Sequence, residues 1–241
     1  MEFIIVTITT IILTLILGIV FQYNIKKIKE ISEDKELDEI SKKYPNNKEI
    51  CKKYLKKLNN SDVKIEENND NQASLYIAVT NKIIIADINN TYTRIQTIAH
   101  ECLHSIQDRK ILMFNFIYSN IYLLYYICIC VLAIFKVLPY KIMFLTIFVI
   151  LSLIYYMIRM YLENDAMIKA RYLAKEYMEE ENITTKEEID KLVSGFDKIN
   201  KLGIKCINYQ FFLHISIKIL IFSIISIIRW KSSYLLKHFN K

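Results

Sequence analysis

The chain has 241 residues and a formal net charge of +7, with 53% hydrophobic and 24% charged residues. An ordinary soluble domain does not combine that charge content with so apolar a balance, so the apolar residues must be segregated from the charged ones. The lysines are scattered among acids without interleaved aromatic or glycine-rich segments, which argues against a nucleic-acid partner and for basic residues near membrane-helix ends.

In chain order, Phe3 to Tyr23 is an apolar run long enough to cross a bilayer. Its start lacks Lys and Arg, no small-residue cleavage site follows, and Lys26, Lys27 and Lys29 come after it. Residues 1–23 therefore read as an uncleaved anchor with Lys26 onward in the cytoplasm. Residues 24–110 form a polar domain. Ile28, Ile31, Leu37 and Ile40 mark helical pieces, and Asn46 or Asn47 caps a helix whose inner face is Ile50, Tyr54, Leu55 and Leu58. "ASLYIAV", "TNK" and "IIIAD" read as two strands and a tight turn. In "TYTRIQ", Thr93 and Gln96 are a capping box for a helix starting near Thr91, and no Gly or Pro prevents it from continuing into the membrane.

Residues 111–162 form a helical hairpin: the apolar run Ile111 to Phe135, the turn "KVLPYK" with Pro139, and the run Tyr140 to Leu162. Residues 163–207 are expected to extend the third helix through "ENDAMIKARYLAKEYMEE" into water. A second capping box, Thr185 with Glu188, then opens a helix with the apolar stripe Ile189, Leu192, Val193, Phe196 and Ile199, and Gly203 is its expected stop. Residues 208–241 hold the apolar segment Phe211 to Ile228, with His214 and Lys218 on one face, and the basic tail Arg229, Lys231, Lys237 and Lys241. That segment is either a fourth span or an interfacial helix. Cys51, Cys102, Cys128, Cys130 and Cys206 are odd in number and include no CxxC pair, which fits free thiols and neither a disulfide framework nor a cysteine zinc site.

The stretch "IAHECLHSIQDRK" carries the chemistry. His100 and His104 lie one helical turn apart, so both imidazoles leave the same face and suit two corners of a tetrahedral Zn²⁺ site. Glu101 is rotated by about 100° from His100, which lets it act as general base on water without being a ligand. This is the H-E-x-x-H pattern of zinc peptidases, and the preceding strand pair is what a zincin fold needs. A third ligand is required, and position 107 is Gln with no third histidine in extension of the motif. Glu163, at the end of the third apolar run, is the candidate. Asp165 is either an alternative ligand or a group that orients a histidine. A straight hairpin leaves Glu163 and the histidines out of level by roughly 10 Å. Helix crossing, an unwound turn, or an end to the motif helix near Arg109 must absorb that mismatch.

"HECLHSIQ", followed by a hairpin and then "ENDAMIKARYLA", resembles the YugP-like neutral zinc metallopeptidases of bacterial membranes and, more distantly, the HtpX-like gluzincins. The resemblance implies a gluzincin site in which His100, His104 and Glu163 hold zinc, Glu101 is the catalytic base and Gln107 matches the family's Gln; Gln107, like Asp165, is expected to support the ligands from behind or to be an alternative ligand. Cys102 and Leu103 depart from the small residues often found there. The expected fold is thus a mainly α membrane protein, with three to four transmembrane helices and a small α+β zincin-like cytoplasmic domain. The expected activity is zinc-dependent peptide hydrolysis at the bacterial plasma membrane, on peptides or membrane proteins, with the strand "IIIAD" available to pair with an extended substrate. Two other readings stand beside it: a non-catalytic membrane protein with a structural or vestigial metal site, and a transporter component built on His214, Lys218 and Arg159.

Overall fold

The computed structural model describes residues 1–68, 70 and 73–239, with side chains as far as residue 228. Its elements are α1 (Glu2–Val20), α2 (Ile25–Ser32), α3 (Lys35–Lys42), α4 (Asn47–Lys57), β1 (Lys64–Glu67), β2 (Leu75–Ile77), β3 (Lys82–Ile85), α5 (Arg94–Ile106), α6 (Arg109–Ile134), α7 (Lys141–Glu181) and α8 (Lys186–Phe239). The protein is mainly helical and divides into two units. One comprises Met1–Tyr23, Phe114–Arg159 and the chain from Cys206 on; the other comprises Asn24–Met113 and Met160–Lys205.

In the polar unit, helix starts follow side-chain capping. Asn24, Asp34 and Asn46 each accept a backbone N–H from the first turn of α2, α3 and α4. The Thr185–Glu188 capping box forms reciprocally: the Thr185 N–H donates to the Glu188 carboxylate and the Glu188 N–H to Thr185 Oγ1. The Thr93–Gln96 box does not form. Thr93 is itself in the right-handed helical region, its side chain makes no cap, and Gln96 is buried and donates to Asn200 instead.

The three strands form one sheet in the order β1-β3-β2, with β1 parallel and β2 antiparallel to β3. The β2–β3 pair is the hairpin read from the sequence. β1 was not read there, because "KIEE" is short and mostly charged. Its presence makes β3 the central strand, so "IIIAD" is paired on both sides and has no edge to offer a substrate. The edge strand nearer the motif is β2. Ile83 and Ile85 of β3 are 0% and 1% exposed and join a core with Ile50, Tyr54 and Leu55 of α4 and Ile95, Ile98 and Cys102 of α5. From α7 come Ala166, Ala170 and Ala174, one per turn and fully buried, and from α8 come Leu192 and Phe196. Burial of each large apolar side chain contributes about 1.5–3 kcal/mol. Arg94 is buried beside this core and spends its guanidinium on Ser41, Asn47 and the carbonyls of Ser41, Tyr44 and Pro45, the carboxyl end of α3.

Gly203 does not stop α8, which runs unbroken past it. Glycine ends a helix by taking a positive φ, and no glycine here does so. At Gly203 a Cβ would come within 3.0 Å of Met167 Cε, and at Gly195 within 2.8 Å of Leu37 Cδ1 and 2.9 Å of Tyr92 Cε2, so both serve close packing. The left-handed positions that follow helices are taken by Gln22, Asn59, Lys136 and Asn182.

The apolar unit packs Tyr122 and Ile129 of α6, Leu145 and Phe148 of α7 and Phe222 of α8 into a second core. The Tyr122 ring stacks on Phe148 and Tyr155 at centroid distances of 5.3 and 4.9 Å. Lys218 Nζ lies 4.4 Å from the Tyr122 centroid, a cation–π contact within this unit, while His214 is exposed. Among the described residues, four helices are long and apolar enough to cross a membrane, beginning at Glu2, Arg109, Lys141 and Lys186. The segment 211–228 is part of the fourth; the side chains of the basic tail and of His238 lie outside the described residues.

Candidate metal centre

Helix α5 buries Ile95, Ile98, Ala99 and Cys102 on one side and carries His100 and His104 on another. The helix then stops. Gln107 leaves it with φ −64° and ψ 157°, and Asp108 restarts the chain as α6 by accepting the Lys110 N–H. The motif helix is therefore not continuous with the second apolar run, and its end before Arg109 is one of the departures from a straight hairpin that the sequence called for.

Glu163 of α7 meets the histidines within the polar unit. His100 Nε2 and His104 Nε2 are 3.0 Å apart, and Glu163 Oε2 is 3.6 Å from each. Ligands held tetrahedrally at about 2.0–2.1 Å from zinc lie roughly 3.3 Å from one another. The observed triangle brackets that value, so two nitrogens and one carboxylate oxygen are arranged as a tetrahedral ion with one open position requires. The three side chains are 12–19% exposed, which leaves the group reachable but poorly hydrated. Among the described residues this is the one group of three or more His, Cys, Asp or Glu side chains close enough to hold a metal ion.

Glu101 is directed to the same place. Its Oε1 lies 4.0 Å from His100 Nε2, its side chain is 9% exposed, and it receives the backbone N–H of Tyr76 in β2. Burial pushes its carboxyl above the ordinary carboxylate range; Glu163 adds to this, and His100, His104 and the Tyr76 N–H oppose it. Burial also works against the His104 cation. The hydrogen bond and charge of Glu163, with the charge of Glu101 and the Gln107 side chain, outweigh it and raise the imidazole above its usual value. Two carboxylates facing two imidazoles in a half-dry site favour a cation there, and a set of two imidazole nitrogens and a carboxylate oxygen is one that divalent transition metals accept.

Asp165, the alternative ligand, is not in the triangle and does not touch either histidine. Its Oδ1 takes Lys169 Nζ at 2.6 Å and its Oδ2 takes Gln107 Nε2 at 3.2 Å. Gln107 reaches His104 Nδ1 at 2.8 Å through its other end. His214 belongs to the apolar unit and has no part in the group. The backbone N–H of Tyr76 and the carbonyl of Leu162, which receives Gln107 Nε2 at 2.8 Å, went unread in the sequence, since backbone donors and acceptors leave no side-chain signature. In comparisons with known proteins, no family model matches the chain, and neither a curated protein nor a solved structure matches it.

Proposed function

We propose that the protein is a membrane-bound zinc peptidase that cleaves peptide bonds in peptides or membrane proteins close to the cytoplasmic face of a bacterial plasma membrane. The observation that carries this reading is the triangle of His100 Nε2, His104 Nε2 and Glu163 Oε2, at 3.0–3.6 Å, with the Glu101 carboxylate beside it. Zinc held by His100, His104 and Glu163 supplies Lewis acidity toward a carbonyl and lowers the pKa of water to about 7. Glu101 takes the proton from the attacking water and returns it to the leaving amine. The Tyr76 N–H favours the charged form of that carboxylate. A substrate in extended form fits alongside β2, which pairs only with β3 among the described residues. The YugP-like resemblance implies the same roles for His100, His104, Glu163 and Glu101. Supporting the cytoplasmic side, the basic residues Lys26, Lys27, Lys29, Arg109, Lys110, Arg159, Lys169 and Arg171 fall on the same side of the apolar runs as the motif, against Lys136, Lys141 and the C-terminal tail on the other.

The test is zinc content and cleavage of casein or a membrane protein by the purified chain in detergent. Glu101→Gln is expected to keep its zinc and lose about 10²–10⁴-fold in rate. Glu163→Ala is expected to lose zinc and activity together. Full activity in Glu101→Gln removes the assigned base. Zinc bound with no Glu101-dependent hydrolysis of any substrate favours the non-catalytic metal site instead.

A further inference from the structure

Gln107 occupies an unusual place: it is the single extended residue that ends the motif helix, and its side chain turns back to join that helix to α7. Three hydrogen bonds use the whole amide. Nε2 donates to the Leu162 carbonyl at 2.8 Å and to Asp165 Oδ2 at 3.2 Å, and Oε1 faces His104 Nδ1 at 2.8 Å. A backbone carbonyl only accepts, so the amide nitrogen must face Leu162. Turning the amide over would set its oxygen against two acceptors, the Leu162 carbonyl and the Asp165 carboxylate. Lys169 holds the other Asp165 oxygen at 2.6 Å and so keeps Oδ2 turned to the amide. With its orientation fixed, Gln107 can offer His104 only an acceptor. Neutral His104 must then carry its proton on Nδ1, and its Nε2 lone pair is left facing His100 and Glu163.

We propose that Gln107 is a positioning residue: held by the Leu162 carbonyl and Asp165, it locks His104 as the Nδ1–H tautomer and so presents Nε2 for metal ligation. The link to metal rests on the zinc-site reading above; the tautomer itself does not. Asp165 acts through Gln107, and Lys169 through Asp165. Partners of this kind typically govern metal affinity by about 10–100-fold.

The experiment has two arms. In metal-free, detergent-solubilised protein with ¹⁵N-labelled histidine, long-range proton–nitrogen correlation above the imidazole titration range identifies the tautomer. His104 is assigned by difference from His104→Asn. The wild type is expected to show Nδ1–H at His104, and Gln107→Leu to show a mixture. In the second arm, Zn²⁺ affinity is measured by competition with a chromophoric chelator, with the fold followed by circular dichroism. Gln107→Leu is expected to bind about 10–100-fold more weakly. Asp165→Leu, which leaves Gln107 and the Leu162 carbonyl in place but removes one of the two acceptors that fix the amide, is expected to move both readouts the same way by a smaller amount, and it serves where Gln107→Leu does not fold. Asp165→Asn keeps an acceptor for the amide and should restore both. An Nε2–H tautomer in the wild type, or unchanged Zn²⁺ affinity in both leucine variants, overturns the positioning role. A wild type that binds no Zn²⁺ defeats the metal reading instead, and the tautomer arm still decides the role of Gln107.

Discussion

At the scale of single residues, the site joins side chains whose spacing is visible in the sequence to partners whose position is not. His100 and His104 were legible because four residues make one turn. Glu163 was legible because it starts a polar stretch directly after an apolar run. Tyr76 was not, because its contribution is a backbone N–H on a three-residue strand. Asp165 was read as touching the metal or a histidine; an intervening amide separates them, and sequence spacing cannot distinguish a direct contact from a relayed one. Tyr92 provides a test away from the site. Its ring is fully buried, its hydroxyl donates to the Ile31 carbonyl at 2.8 Å, and burial pushes its pKa up to about 12. The unfolded phenol titrates near 10. The stability that this shift represents is whole below about pH 10 and is lost as pH rises from there through about 12, because the folded state resists losing the proton. Tyr92→Phe is expected to be less stable at neutral pH, having lost the hydrogen bond, but to show a shallower fall in that alkaline window. Denaturant midpoints measured across the pH range check both parts.

At the scale of elements, the helices that the sequence marks with a polar cap begin where expected, as at Asn46 and at Thr185 with Glu188. Thr93 fails as a cap because its own backbone is already helical, a state fixed by packing rather than by local residue type. Gly203 was read as a terminator by residue type alone, whereas its lack of a side chain serves contact with Met167. A chain with three glycines must close its helices with other residues, and some of these are strained. Lys136, at φ 62° after α6, is a lysine in the left-handed region. That conformation costs a non-glycine residue roughly 1–2 kcal/mol. Glycine there would remove the cost, at the expense of about 0.4–1 kcal/mol of added freedom in the unfolded chain. Lys136→Gly is therefore expected to stabilise the protein by about 0.5–1 kcal/mol, seen as a higher melting temperature in detergent. A lower one would show that the lysine side chain makes a compensating contact.

At the scale of the whole molecule, the apolar runs were the plainest feature of the sequence, and they are the four long helices. α7 and α8 have 41 and 54 residues, about 60 and 80 Å at helical rise, against a hydrocarbon layer of about 30 Å. Each is long enough to cross a bilayer and still supply residues to the polar core. The protein is expected to stay with the membrane pellet through alkaline carbonate and to leave it only with detergent; release by carbonate would contradict four spanning helices. The small sheet has a consequence for how copies of the chain behave in solution. Its β1 edge is blunted by Lys64, Glu66 and Glu67, all exposed, the kind of edge that resists pairing with a neighbour. Its β2 edge, Leu75-Tyr76-Ile77, has no charge, and Leu75 is 39% exposed. An edge suited to an incoming peptide is equally open to the same strand of another molecule, so receptiveness carries a colloidal cost. Leu75→Lys should slow concentration-dependent aggregation of the solubilised protein in light scattering, and leave the Zn²⁺ affinity as it was.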